Sequence, residues 1–324
     1  MLLIKGKIFS YMLGACWVLS ITPASADVPQ VATDIPPVHS LVSQVMGDLG
    51  TPKLIVPPGT SPHGYAMRPS EAKALQEANL VVYVGHDMTP WMEPLFETVA
   101  TSADALDLSE VDGVLKLSYR EGPVFDSGES HDDHDDHEGH DDHEGHDDHE
   151  GHAHGDHDPH AWLSPQIAKV WLNVIAAKLS EIDPSNAGTY FANANSARQD
   201  LDTLSEEINK MLEPIRDKKF VVFHDAYQYF EKDFNISASG AISLGDASDP
   251  SPARLAEVRK RVVDEAVECV LAEPQYKTGL VKAVIEGTGS NTAVIDPLGV
   301  DLEAGPSLYE NLIRNLATNL AKCF

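Results

Sequence analysis

The chain has 324 residues, a formal net charge of −28 and a sequence pI near 4.7. Apolar residues make up 42% of it, so the chain as a whole is not disordered, and its length suits about two domains. The acidity argues strongly against nucleic acid or an anionic membrane surface as a partner, and it is compatible with cationic ligands.

The first 26 residues have the pattern of a secretory signal peptide. Two lysines precede an apolar stretch over residues 8–21, and a small-x-small cleavage site follows at residues 24–26. About 14 apolar residues are too few to span a bilayer comfortably. The tetrapeptide that ends at Cys16 resembles a lipobox, but the apolar run continues past it, so a lipid anchor is the weaker alternative. We expect an exported mature chain that begins near Asp27.

Removal of this segment leaves two cysteines, Cys269 and Cys323. An exported protein meets an oxidising compartment, where an even pair of cysteines predicts one disulfide. Two buried free thiols are the alternative.

The mature chain alternates short β-rich runs with helical patterns. The β-rich runs are Gln30–Thr33, Lys53–Val56, Leu80–Val84, Lys219–Phe223, Cys269–Ala272 and Thr292–Ile295. Strand followed by helix, repeated, predicts parallel sheets. The pattern occurs once before about residue 160 and again after about residue 219. We therefore expect an α/β fold of two lobes, each with a mainly parallel sheet flanked by helices.

The stretch between these two patterns is helical. Ser164 and Pro165 open one helix that ends near Ile182, and a longer helix follows. Apolar residues at alternating spacings of four and three, from 190 to 215, predict one apolar face on the longer helix. We interpret this helix as a strut packed against both lobes, with a coiled-coil partner helix as the alternative. The predicted divisions are a signal peptide at 1–26, an N-terminal lobe at 27–184, a connecting helix at 185–212 and a C-terminal lobe at 213–324.

One segment of the N-terminal lobe, residues 129–158, contains 14 acidic residues, ten histidines and no Lys or Arg. The unit HDDHEG occurs there three times without a gap. Nothing in it can drive packing, so we predict a disordered, metal-responsive insert. Its candidate auxiliary metal ligands are His131, His134, His137, His140, His143, His146, His149, His152, His154 and His157.

Five histidines lie outside the insert. His224 ends a β-rich run, His63 lies in the loop after another run, and His160 precedes a helix. Asp296 also ends a β-rich run. Open parallel sheets bind ligands beyond the carboxyl ends of their strands, so these four side chains predict one site between the lobes. Three imidazoles and a carboxylate suit Zn²⁺ in near-tetrahedral geometry.

The other two histidines are weaker candidates. His86 follows the run that ends at Val84 and is a candidate auxiliary metal ligand. His39 lies at a predicted helix start, where a capping or cleft role is the simpler interpretation. Any single histidine is more often structural than a ligand.

Five stretches form a specific set over nearly the whole mature chain: PPGTSPHGYAMRPSEAKALQEANLVVYVG, DPHAWLSP, FVVFHDAYQYFEK, CVLAEPQY and IDPLG. Together they resemble the ZnuA type of periplasmic solute-binding proteins of zinc ABC transporters, in metal-binding cluster A-I. The resemblance implies two α/β lobes joined by one long rigid helix, with Zn²⁺ buried between them. It places the metal ligands at His63, His160 and His224, a completing acidic position at Asp296, and a disulfide between Cys269 and Cys323.

One departure concerns the fourth ligand. Some zinc-type members have Glu immediately before the first ligand histidine, where this chain has Pro62. The fourth ligand is therefore Asp296, a water, or a histidine from the insert or at position 86. Because imidazoles bind metal only when neutral, zinc affinity should fall steeply as the pH drops through about 6.

The resemblance further implies a monomeric periplasmic protein that does not span the membrane and delivers Zn²⁺ to an ABC permease and its ATPase. The insert is then a low-affinity zinc collector, a sensor that throttles transport, or a solvated spacer. The chain has neither HExxH nor GxSxG, so we do not expect an enzyme, although a zinc hydrolase is a remote alternative. The nearer alternative is a periplasmic metal buffer or adhesin-like zinc protein without a transporter, and Ni²⁺ or Cu²⁺ selectivity stays open.

Overall fold

The computed structural model describes residues 28–120, 122, 124–125, 157–243, 245 and 250–324. The predicted signal peptide, the lipobox at Cys16 and the insert histidines from His131 to His154 lie outside these residues. The strands are β1 (Val31–Thr33), β2 (Lys53–Leu54), β3 (Leu80–Tyr83), β4 (Asp104–Asp107), β5 (Phe220–His224), β6 (Ala241–Ser243), β7 (Cys269–Ala272) and β8 (Asn291–Val294). The α-helices are α1 (Pro36–Met46), α2 (Pro69–Glu77), α3 (Glu93–Thr98), α4 (Pro165–Ile182), α5 (Ala187–Leu212), α6 (Gln228–Phe234), α7 (Pro252–Asp264), α8 (Thr278–Ile285) and α9 (Leu308–Ala321).

The strands form two parallel four-stranded sheets, which confirms the predicted fold class. Their orders are β2-β1-β3-β4 and β6-β5-β7-β8, so both lobes repeat one topology. In the first sheet β2 lies on one side of β1 and β3 on the other, and in the second sheet β6 and β7 flank β5 in the same way. The winding direction therefore reverses between β1 and β3 and between β5 and β7. Such a switch point opens a crevice at the carboxyl ends of the two strands. The sequence missed β4 and β6, which lie at sheet edges.

The long helix α5 has 26 residues, about 39 Å at 1.5 Å per residue. The predicted apolar face is buried, and α5 packs against α1 and α4 on one side and α9 on the other. Packing against both lobes agrees with the predicted strut. Its apolar face belongs to a core that is continuous from β1 and α1 to β5, β7 and α9. Two smaller clusters cover the outer faces of the two sheets. A shared core of this kind resists a large hinge motion, because separating the lobes would expose it to water.

A second element crosses between the lobes just before the insert. The backbone N–H of Phe125 donates to the carbonyl of Ser239 at 3.0 Å, and Val124 forms a bridge to Gly240. Further back, the Arg120 guanidinium binds the carboxylates of Asp225 and Glu231. The segment that leads into the insert is therefore held on the C-terminal lobe by Arg120, Val124 and Phe125.

The predicted disulfide is present. Cys269 and Cys323 are bonded with their Cα atoms 5.8 Å apart, which ties the end of α9 to the start of β7. The Asn291 side chain adds a 2.8 Å hydrogen bond to the carbonyl of Cys323. Across the part of the chain that the structure describes, no helix combines the length and apolar character needed to cross a membrane.

Candidate metal centre

His224 is the last residue of β5, and its imidazole is buried. Its Nδ1 lies 2.7 Å from Oε1 of Glu273, the residue that follows β7. The backbone N–H of His224 points to the same oxygen at 3.3 Å. Because a carboxylate only accepts hydrogen bonds, Nδ1 carries the proton and Nε2 is the unprotonated nitrogen, the form of imidazole that binds metal ions.

His160 is arranged in the same way in the turn that precedes α4. Oδ1 of the buried Asp158 accepts from His160 Nδ1 at 2.7 Å and from its backbone N–H at 2.9 Å. The other oxygen of Asp158 accepts from Gln228 Nε2 at 2.9 Å. The carboxylate again orients the imidazole through Nδ1, so both histidines have the carboxylate partner that is typical of metal ligands.

His63 lies in the loop after β2 and is half-buried. The preceding Pro62 is buried, and its carbonyl accepts from Trp91 Nε1 at 2.7 Å. The Trp91 ring in turn contacts Tyr65 edge-on, with centroids 5.8 Å apart. The loop that carries His63 is thus held on both sides of the histidine.

The three imidazoles converge on one region. The ring centroids of His160 and His224 are 5.3 Å apart, and those of His63 and His160 are 6.0 Å apart. With Zn–N bonds of 2.0–2.1 Å and a tetrahedral angle, two bound rings have centroids about 5.2 Å apart. Within the described residues no group of three or more His, Cys, Asp or Glu side chains is yet arranged to hold a metal ion. The separation of His63 and His160 exceeds the value for two zinc-bound rings by about 0.8 Å, whereas that of His160 and His224 is close to it.

A cavity of about 230 Å³ adjoins His160 and His224. Its wall includes apolar side chains from Met88 and Trp162 and polar groups from Glu273 and Gln275. A mainly apolar wall with a few polar atoms is typical of ligand-binding cavities.

Buried acidic groups outnumber cations around these histidines. Asp158, Asp225, Glu231 and Glu273 are all buried, and Arg120 binds two of them. Burial raises the pKa of Asp158 to about 7 and that of Asp225 to about 6. A dication entering this environment would favour the ionised carboxylates, so the electrostatics suit a divalent metal.

Asp296 lies two residues beyond β8, and both of its carboxylate oxygens accept hydrogen bonds. Oδ1 accepts from Gln275 Nε2 at 2.9 Å and from the Leu298 backbone N–H at 3.0 Å, and Oδ2 accepts from the Val300 backbone N–H. These bonds shape the turn after β8. Oδ2, with a single donor, retains a lone pair, and a role of Asp296 as a metal ligand stays a prediction.

Of the auxiliary candidates, His86 and His157 lie within the described residues. His86 is exposed and its Nδ1 lies 3.1 Å from Oε2 of Glu93 in α3. His157 contributes to the wall of a separate cavity of about 30 Å³, and its backbone N–H points to Oδ2 of Asp87 at 3.3 Å. His39 is buried inside α1 and its Nε2 contacts the Pro52 carbonyl at 3.1 Å, which is a structural contact. Burial lowers the pKa of His39.

Sequence reasoning missed the two carboxylates that orient the imidazoles. Asp158 stands two residues before His160, and this D-x-H spacing is the signal that could have identified it. Glu273 follows β7 as directly as His224 ends β5, so the topological argument that selected His224 applied equally to Glu273.

The chain is similar to known proteins along most of its length. A family model described as ZnuA, zinc-uptake complex component A periplasmic, matches residues 31–323. The high-affinity zinc uptake system protein ZnuA of Paracoccus denitrificans (strain Pd 1222) is 44% identical over 97% of each chain. The protein of the same name from Brucella abortus (strain 2308) is 43% identical over 90% of this chain and 91% of its own. The solved structure of a ZnuA deletion mutant with zinc bound is 25% identical, with a TM-score of 0.71, over 92% of this chain and 98% of that one.

Proposed function

The chain belongs to the ZnuA family of periplasmic zinc-uptake components, and we propose that it captures Zn²⁺ between its two lobes and releases it to an ABC permease. One observation carries the proposal. His160 and His224 are buried, their rings pack edge to face with centroids 5.3 Å apart, and each donates its Nδ1–H to a buried carboxylate. Two structural histidines in an apolar core would not require this matched orientation.

The ligand set of this proposal is His63, His160 and His224, with Asp296 or a water in the fourth position. Nitrogen donors favour zinc over manganese, which prefers oxygen. The two carboxylate partners raise the basicity of their imidazoles and keep them oriented in the absence of metal. Less ordering is then needed on binding, which favours high affinity.

Export to the periplasm through the predicted signal peptide belongs to the same proposal. The partners are a membrane permease and its ATPase, and the protein acts as a monomer. The insert acts as a low-affinity zinc collector, because its many imidazoles and carboxylates have no packed core to hold them in one geometry. At the last residue of the insert, the Asp158 backbone N–H donates to the Leu117 carbonyl at 2.8 Å.

Calorimetry with Zn²⁺ and Mn²⁺ tests the proposal on the mature protein and on a variant that lacks residues 129–156. We expect the shortened protein to keep one tight zinc site that Mn²⁺ does not displace, and to lose only weak sites. His224→Ala should abolish the tight site, whereas His86→Ala, at an exposed histidine, should leave it unchanged. Disappearance of the tight site with the insert would contradict a self-contained three-histidine centre.

A further inference from the structure

Helix α6 of the C-terminal lobe contacts the chain just before His160. The Tyr229 hydroxyl donates to the Asp158 carbonyl at 2.9 Å and accepts from the Leu117 backbone N–H at 3.1 Å. The neighbouring Gln228 Nε2 donates to Oδ2 of Asp158 at 2.9 Å. Tyr229 and Asp158 are both buried, where a hydrogen bond meets little competition from water. The residue that orients the His160 ring is therefore itself held by α6.

A third side chain of α6 contacts the chain just after His160. Oδ2 of Asp233 accepts from the Ser164 hydroxyl at 2.6 Å and from the Gln166 backbone N–H at 3.2 Å, at the first turn of α4. The segment 158–166 is thus bound to α6 on both sides of the histidine.

The same helix is closely tied to His224. It begins at Gln228, four residues after His224, and the turn between them contains a 2.9 Å hydrogen bond from the Ala226 backbone N–H to the His224 carbonyl. A short path therefore joins the two imidazoles. It runs from His224 through this turn to Gln228, and across one hydrogen bond to Asp158, which binds His160.

His160 needs support of this kind, because the chain before it can supply little. The stretch from His131 to His157 contains no apolar residue larger than Ala, so it has nothing to pack against the fold. The rings of His160 and His224 nevertheless have centroids 5.3 Å apart, close to the value of about 5.2 Å for two zinc-bound rings. A separation so close to the bound value reduces the ordering that metal binding requires.

We propose that Gln228 and Tyr229 are positioning residues for metal capture. They hold the carboxylate and the backbone of Asp158 against α6, and this fixes the separation of His160 from His224 before the metal enters. Both act through Asp158 rather than by touching the metal. The inference rests on the proposed function and assigns to α6 the task of joining the two ligand-bearing segments across the lobes.

The variants Tyr229→Phe and Gln228→Leu test this role in the intact mature protein. Each keeps the approximate size of the side chain and removes its hydrogen bonds. We expect zinc affinity to fall about tenfold in Tyr229→Phe, which loses two hydrogen bonds, and about three- to tenfold in Gln228→Leu. Competition with a chelator that binds zinc more tightly than the insert restricts the measurement to the tight site. Affinities within about twofold of the parent in both variants would overturn the proposal.

Ring N–H signals of ¹⁵N-labelled histidine show whether the effect runs through His160. Buried, hydrogen-bonded ring N–H groups exchange slowly with water, and we expect such groups in His39, His160 and His224. The His160 signal is identified by its loss in His160→Gln. In both variants without metal it should exchange faster, whereas the signals of His39 and His224 persist. Loss of zinc affinity with an unchanged His160 signal, or equal changes in all three signals, would contradict a positioning role.

Tyr190→Phe is the matched control. The buried Tyr190 hydroxyl donates to Oδ2 of Asp183 at 3.0 Å, and neither residue lines the cavity beside His160 and His224. This variant should lower the unfolding temperature about as much as Tyr229→Phe, yet leave zinc affinity and the ring N–H signals unchanged. A comparable loss of affinity in the control would indicate a general structural effect and overturn the assignment.

The parent protein separates the two levels of the argument. If it binds no Zn²⁺ tightly, the proposed function fails and the positioning role fails with it. If it binds Zn²⁺ tightly and the two variants bind it equally well, only the positioning role fails.

Discussion

Replacing Glu273 separates the role of its charge from its role in orienting His224. The hydrogen bond from His224 Nδ1 to Glu273 Oε1 is 2.7 Å long and charge-assisted. Loss of such a partner typically lowers metal affinity 10- to 100-fold. Glu273→Gln keeps an oxygen in place but removes the charge, so we expect about a tenfold loss, or about 1.4 kcal/mol. Glu273→Ala also frees the ring to rotate, so we expect about a hundredfold loss.

The assay is competition with a fluorescent zinc chelator at pH 7.5, on mature protein without residues 129–156. Glu268→Gln is the control, since Glu268 precedes the same strand and pairs with Lys218 at the surface. Asp158→Asn is the equivalent change at His160 and should match Glu273→Gln. Zinc affinity of Glu273→Gln within twofold of the parent would refute the reasoning, provided that thermal unfolding shows the variant to be folded.

Two further predictions concern stability. Arg120→Met leaves the buried Asp225 and Glu231 without their cation, so urea unfolding should show a loss of about 3 kcal/mol. Lys218→Met breaks an exposed pair and should cost less than about 1 kcal/mol, and equal losses would contradict the argument. Burial lowers the pKa of His39, so its contribution to stability is present above the ordinary imidazole pKa and is lost as the pH falls through the lowered value. The unfolding temperature of His39→Gln should therefore fall less than that of the parent between pH 7.5 and 5, and parallel curves would refute this.

Local patterns were enough to predict most of the elements. Each of the six β-rich runs overlaps a strand, and α4 begins and ends at the predicted residues. The apolar face of α5 was readable because a helix repeats its environment every three to four residues. The edge strand β4 was missed because its residues, Asp-Ala-Leu-Asp, are largely exposed and have no apolar run.

The sequence also determined which histidines to examine, because strand ends and loop starts are local features. It placed His224 at the end of a strand and His160 just before a helix, and the structure has both there. The resemblance to a known family added the transport role, and the family match confirms it at the level of the family.

Only the tertiary structure decided which groups surround those histidines. Glu273 is 49 residues from His224, and Arg120 is 105 residues from Asp225, so no local pattern connects either pair. In the sequence, Asp296 is a carboxylate at the end of a predicted strand. The structure adds three N–H donors that bind its oxygens. The physical reason is that secondary structure depends on neighbours along the chain, whereas hydrogen bonds, burial and charge in the cleft depend on how the two sheets are brought together.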